Sequence, residues 1–289
     1  SPVQIPGTTW GESTTSLGNK THLVVGHRSS MCIKTDGTLW SWGYNRFGQL
    51  GLNNEVRYSS PVQIPGTTWS SIAAGYYQTH AIKTDGTLWV WGYNAYGGLG
   101  LNSTTYYSSP VQIPGTTWSQ VEPSSDKGPI ARKTDGTLWA WGKNEYGQLG
   151  QNNKTDYSSP TQVPGTTWAN LASFGYGALV TKTDGTLWSW GYNGYGCLGQ
   201  NDTTQYSSPV QIPGTDWPKT NRRELEGAFY GARVIKTDGT FWVWGRNNFG
   251  SLGQNNVTHY SSPVQIPGTN YITVGTADGH GSYALREQS

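Results

Sequence analysis

The 289-residue chain has a formal charge of only +2, with 12% charged and 13% aromatic residues, forty glycines and fifteen tryptophans. So weak a charge, with most lysines spaced one per repeat, excludes nucleic acid as the main partner, because phosphate recognition needs a basic stripe. With no run of 18 apolar residues and no signal peptide the chain reads as soluble, without membrane insertion.

Taken from the N-terminus, the first recurrent phrase is Ser-Pro-Val-Gln-Ile-Pro-Gly-Thr, starting at Ser1, Ser60, Ser109, Ser208 and Ser262, with a variant at Ser159. Two prolines around three residues suit an edge strand, since proline cannot donate within a sheet. Thr-Thr-Trp and a short run such as Ile72-Ala73-Ala74-Gly75 follow. Small apolar residues there predict an innermost strand crowded around an axis. Thr79-His80-Ala81-Ile82 then leads into Lys-Thr-Asp-Gly-Thr-Leu-Trp-x-Trp-Gly, which recurs from Lys34, Lys83, Lys133, Lys182 and Lys236 (Phe241 replacing leucine in the last). Asp-Gly predicts a two-residue hairpin turn, glycine supplying positive φ. Alternation along the strand after it puts Trp40 and Trp42 on one face and Leu39 on the other. The Tyr-Asn-x-x-Gly-Gln-Leu-Gly segment that comes next is turn-rich, and Tyr-Ser-Ser before each proline phrase reads as loop.

The starts of the central motif lie 49, 50, 49 and 54 residues apart. Four antiparallel strands per period, with edges protected by proline, predict an all-β propeller of four-stranded blades. The predicted strands of one blade are inner (72–75), second (79–83), third (87–91) and outer (111–113). Repeats fall at about 10–64, 69–113, 118–163, 168–212 and 217–266, within one domain, 1–289. A sixth blade is split between residues 271–289 and 1–6 and lacks the strand with the paired tryptophans. A chain that opens mid-repeat without methionine points to a longer precursor; alternatively, a neighbouring molecule adds the strand and the protein self-associates. All fifteen tryptophans occupy repeat positions, which makes them packing residues between blades.

Ile-Ala-Ala-Gly, Ala-Ile-Lys-Thr-Asp-Gly-Thr-Leu-Trp-Val-Trp-Gly and Asn-x-Tyr-Gly-x-Leu-Gly together resemble the regulator of chromosome condensation repeat, over essentially the whole chain and close to bacterial or phage-type repeat proteins. The resemblance implies a propeller closed by joining the chain ends, but no single function. Exchange-factor members act on a small GTPase through a protruding β-wedge and the channel rim, and no matching inserted hairpin is present. The plant ultraviolet-B photoreceptor carries Gly-Trp-Arg-His-Thr where this chain has Gly75-Tyr76-Tyr77-Gln78-Thr79, which disfavours light sensing. Propeller inhibitors of β-lactamase bind through one loop-rich face.

Where the repeats disagree is the informative part. Between Trp69 and Lys83 stand 13 residues; the first repeat has 23, the third 14 and the fifth 18. The departures surround the inner strand and are expected to gather at one end of the propeller. They define a composite partner-binding face: Arg28, Tyr76, Tyr77, Asp126, Lys127, Phe174, Tyr176, Arg222, Arg223, Glu224, Phe229 and Tyr230. Tyrosine and arginine carry interface energy, about 2 kcal/mol or more per anchor. Loop drift without purpose would leave the same pattern.

The five histidines show no ligand spacing with cysteine or carboxylate, and Cys32 and Cys197 are far apart and read as free thiols. Calcium-loop spacing, a Gly-x-Ser-x-Gly elbow and a phosphate loop are all missing from the sequence. No cofactor and no catalytic residues are expected. The chain reads as a non-enzymatic scaffold that binds a protein partner outside the cytoplasm, at a cell surface or on a virion. The alternatives are a structural subunit of such an assembly and a guanine-nucleotide exchange factor.

Overall fold

The computed structural model of the protein describes residues 5, 9, 10, 22–124, 128–219, 224–277 and 281–287. The first blade contains β1 (Leu23–Gly26), β2 (Ser29–Ile33), β3 (Leu39–Gly43) and β4 (Tyr58–Ile64). The second contains β5 (Trp69–Ala74), β6 (Gln78–Lys83), β7 (Leu88–Gly92) and β8 (Tyr107–Ile113). The third contains β9 (Trp118–Ser124), β10 (Gly128–Lys133), β11 (Leu138–Gly142) and β12 (Tyr157–Val163). The fourth contains β13 (Trp168–Phe174), β14 (Gly177–Lys182), β15 (Leu187–Gly191) and β16 (Tyr206–Ile212). The fifth contains β17 (Leu225–Ala228), β18 (Gly231–Ile235), β19 (Phe241–Gly245) and β20 (Tyr260–Ile266), and the two-stranded sixth pairs β21 (Tyr271–Ala277) with β22 (Gly281–Arg286). Every sheet is ordered as its strands run in the chain, and every pair is antiparallel. The five four-stranded blades and the incomplete sixth are those expected; the predicted outer strand of the sixth lies mainly outside the described residues.

Each residue of Lys-Thr-Asp-Gly-Thr-Leu-Trp has a local task. Asp36 Oδ1 accepts from the backbone N–H of Thr38 at 2.9 Å and from its hydroxyl at 2.6 Å. Trp40 Nε1 donates to that hydroxyl at 2.9 Å. Lys34 Nζ lies 4.4 and 4.2 Å from the ring centres of Trp10 and Trp40, a cation held between two π faces. The same lysine sandwich recurs at Lys83, Lys133, Lys182 and Lys236. The turn differs from the one expected. Only Gly37 takes positive φ, at 78°, and its N–H donates to Lys34 O while Lys34 N–H donates to Thr38 O. This is a three-residue loop, a tight turn closed by a bulge glycine.

Hydrogen bonds from threonine hold Asp36, Asp85, Asp135, Asp184 and Asp238 below the usual carboxylate range. A carboxyl whose folded pKa is depressed stabilises above its unfolded pKa, near 4, and loses that contribution as pH falls through the folded value. The thermal midpoint is therefore expected to fall below about pH 4, and less so in a variant with all five aspartates changed to asparagine. Calorimetry across pH 2–6 checks this; equal acid slopes would refute it.

The alternation along the third strand is as predicted. Leu88 and Val90 pack toward the third blade, in one cluster with Trp118, Ala131 and Trp141. Trp91 packs the other way, with Met31, Ile33 and Leu39 of the first blade. Trp91, Trp141, Trp190 and Trp244 are fully buried, and each indole N–H donates to a carbonyl of the preceding blade: Gln49, Gly98, Gln148 and Cys197. The inner strands surround a channel cavity of about 330 Å³ lined by small residues such as Ala73, Ala172 and Gly227 together with Glu122 and Glu226.

One further expectation needs correction. Tyr-Ser-Ser is not loop: Tyr58, Tyr107, Tyr157, Tyr206 and Tyr260 open the outer strands, whose mid-strand proline sits on the sheet edge. The insertions of the first and fifth repeats precede β1 and β17 in the chain and fall mainly outside the described residues. Among the described residues no helix is long and apolar enough to cross a membrane.

Candidate recognition face

In an antiparallel blade the inner-to-second and third-to-outer connections emerge at one end, and the Thr-Asp-Gly turns at the other. The inner-to-second loops are clamped by their backbones to the third strand: Tyr93 N–H donates to Tyr77 O, Tyr44 to Arg28 O, Tyr192 to Tyr176 O and Arg246 to Tyr230 O. The third-to-outer loop is built around a buried asparagine. Asn94 Nδ2 donates to the carbonyls of Ser103 and Thr105 at 2.9 Å, and its Oδ1 accepts from Leu99 N–H at 2.8 Å. Asn45, Asn144, Asn193 and Asn247 play the same part. Replacing Asn193 with alanine strands buried backbone groups and is expected to cost about 2 kcal/mol, read as a lower urea midpoint.

On this scaffold the end of the propeller carries two aromatic arcs. In the first, Tyr77 meets Phe47 at 4.7 Å between ring centres and Tyr76 at 4.7 Å, and His27 stacks on Tyr76 at 3.9 Å. Phe47 also meets Tyr93, which continues to Tyr96 and Tyr106. In the second, Tyr146 meets Tyr176 at 5.0 Å, Tyr195 meets Tyr230 at 5.1 Å, and Tyr230 meets Phe229 at 4.6 Å. The contacts run between blades, an aromatic of one third-to-outer loop resting on the next blade's inner loop. Lys143 Nζ lies 4.7 Å from the Tyr96 ring centre and 2.7 Å from Glu145, the residue before Tyr146. Burial and neighbouring phenols raise the pKa of Tyr192 and Tyr230, which remain protonated donors at neutral pH.

Of the predicted site residues, the structure brings Tyr76, Tyr77, Tyr176, Phe229 and Tyr230 together on these arcs, with Arg28 exposed in the loop beside them at φ 62°. Phe174 does not belong to the exposed set. It is 3% exposed and packs in the core between the fourth and fifth blades, beneath the tyrosines. Glu224 immediately precedes Leu225 and so stands at the other end of the inner strand, away from Phe229 and Tyr230. Asp126, Lys127, Arg222 and Arg223 lie outside the described residues.

Sequence reading missed Tyr44, Phe47, Tyr93, Tyr96, Tyr146, Tyr192, Tyr195, Arg246 and Phe249, because they sit in the regular part of the repeat. Their signal was strand parity: the segment after Trp-x-Trp-Gly must leave the blade at the same end as Tyr76-Tyr77. Both cysteines are buried, and burial pushes the Cys197 thiol up to about 12. The described residues contain no group of three or more histidine, cysteine or carboxylate side chains able to hold a metal ion.

A ring of regular four-stranded blades with one aromatic, loop-built end defines an all-β propeller. Family models for the regulator of chromosome condensation (RCC1) repeat match residues 36–82, 85–123, 135–177, 184–217 and 238–281, and a second model of the repeat matches 21–49 and 69–97. The chain belongs to the RCC1 repeat family.

Among curated proteins, the ultraviolet-B receptor UVR8 of Arabidopsis thaliana is 46% identical over 39 residues, which is 14% of this chain and 9% of that one. Among solved structures, the propeller resembles Prp20 (yeast RCC1) in its complex with Kap60, with a TM-score of 0.77 and 18% identity over 91% of this chain and 67% of that one. Prp20p of Saccharomyces cerevisiae, studied for its binding to Gsp1p and histones, matches at 0.76 and 16% identity over the same shares. Human WBSCR16 matches at 0.73 and 23% identity, over 86% of this chain and 67% of that one. At these identities the structural matches establish the fold.

Proposed function

We propose that the protein is a non-enzymatic recognition scaffold that binds a protein partner through the aromatic end of the propeller. The observation that carries this reading is the pair of arcs. They put half-exposed tyrosines on rigid, asparagine-clamped loops rich in serine, glycine and asparagine, the composition that gives paratopes large contact area at low entropic cost. The similar propeller of Prp20, which has been studied for its binding to Gsp1p and histones and bound to Kap60, supports the class of function, not the partner. Low charge and richness in Ser, Thr, Asn, Tyr and Gly support a location outside the cytoplasm, on a cell surface or virion.

The test is capture of partners from a native lysate by the protein and by a Tyr77→Ala, Tyr176→Ala, Tyr230→Ala variant. Each tyrosine is expected to contribute about 2 kcal/mol, so the triple variant loses capture while Glu224→Gln retains it. Unchanged capture by the triple variant would sink the reading. A second reading, docking through the two-stranded blade, is favoured by Tyr283 and Leu285 of β22, both more than half exposed. It requires self-association in sedimentation, whereas the recognition reading requires a monomer.

A further inference from the structure

The second-strand position paired with Ser41, Val90, Ala140, Ser189 and Val243 is occupied in turn by Met31, His80, Ile130, Leu179 and Arg233. It is a core position, and the first four residues are all nearly or fully buried. Arg233 is only 2% exposed, yet its Nε and Nη1 find no hydrogen-bond partner among the described residues. Glu226 faces it across the strand pair and favours its charged form, while burial pulls its pKa down to about 10, so it still carries a proton at neutral pH. A buried guanidinium without partners for two of its nitrogens is costly, and a group that accepts from them offsets that cost.

Arg233 lines a cavity of about 10 Å³, together with Tyr230, Arg246, Asn248 and Ser251. That is room for about one water-sized group. Arg246 is the second departure. It stands where the first, second and fourth blades have Tyr44, Tyr93 and Tyr192 and the third has Lys143, and its Nε donates to Asn248 Oδ1 at 3.0 Å. Its guanidinium carbon lies 5.0 and 5.4 Å from the ring centres of Tyr195 and Tyr230, so a second cation is fixed beside the first. Phe249, 73% exposed, forms the rim.

The geometry points to an oxyanion hole in the recognition face, in which Arg233 and Arg246 receive the carboxylate of an acidic side chain presented by the partner. This inference rests on the protein-recognition reading above. A carboxylate meets both needs, supplying acceptor oxygens to the open nitrogens and a negative charge between two positive ones. A hole of one-oxygen size beside tyrosine rings suits a side chain inserted end-on, and an inorganic phosphate is the competing source of the same chemistry.

The full 289-residue chain is titrated with N-acetyl-glutamate methylamide, its glutamine counterpart and inorganic phosphate, following the arginine Nε–H signals by NMR. Saturable binding of the glutamate probe is expected, weakened about tenfold or more in R233L and in R246Y, with the glutamine probe weaker by a similar factor. Both variants install residues that the other blades carry, so the fold is expected to survive. R233L is expected to raise the thermal midpoint while losing the probe, a combination that misfolding cannot produce. The inference is overturned by no saturable binding, by equal affinity for the glutamine probe, by retention in R233L, or by preference for phosphate. Because the tyrosine variant tests the face and the probe tests the hole, either can fail while the other stands.

Discussion

Trp190→Ala is expected to destabilise the protein by about 5 kcal/mol, whereas Trp42→Ala, at the same place in the repeat, costs about 2 kcal/mol. Trp190 is fully buried, stands at 6.0 Å from Trp168 and donates its indole N–H to Gln148 O at 3.0 Å. Its removal opens a large cavity and strands a buried carbonyl. Trp42 is half-buried and makes its described ring contact with Trp10, at 6.3 Å. Its surface is already partly hydrated, so less is lost. Urea unfolding of the two variants checks the difference, and equal shifts in midpoint would show that the motif, and not the neighbouring blade, sets the cost.

His80→Leu is expected to stabilise the protein, and increasingly so as the solution becomes acidic. His80 is fully buried, and neither ring nitrogen makes a well-formed hydrogen bond among the described residues. Burial pushes its pKa down to about 4 from the usual 6.5, with the Gly98 backbone opposing this only in part. Between those values the unfolded chain binds a proton that the folded chain refuses. The stabilisation is complete above about pH 6.5 and drains as pH falls toward 4, a loss of about 3 kcal/mol. Leucine removes this slope without disturbing the packing, because Leu179 already fills the matching place, paired with Ser189 as His80 is with Val90. Below about pH 4 both proteins decline together as the turn aspartates protonate. Urea midpoints measured at pH 7 and pH 4.5 decide the matter; parallel losses in the two proteins would disprove the assignment.

Much of the blade could be read in advance because its information is local. Lys34 to Trp40 place turn, strand, cap and lysine clamp within seven residues, and every partner but Trp10 lies inside the motif. Alternation of Leu and Trp needs only the two-residue period of a strand. The candidate face was half legible. Tyr76, Tyr77, Tyr176, Phe229 and Tyr230 stood out because the repeats differ there. Tyr44, Tyr93 and Tyr192 did not, since sameness between repeats conceals a residue whose role depends on the end of the blade at which it emerges.

Phe174 and Glu224 show the converse. Both lie in irregular stretches, yet one turns into the core and the other enters the inner strand at the far end. Side-chain direction at a strand's end follows from the neighbouring blade, which a linear pattern does not contain. The repeat alone dictated a ring of four-stranded blades, their turns and their tryptophan seams, because hairpins and alternation are short-range physics. Packing between blades decided the rest: which tryptophan is sealed, which tyrosines meet, and why Arg233, at a position otherwise held by Met, His, Ile and Leu, stands with open nitrogens beside Arg246. Those outcomes depend on surfaces about 50 residues apart in the chain, brought into contact only when the ring forms.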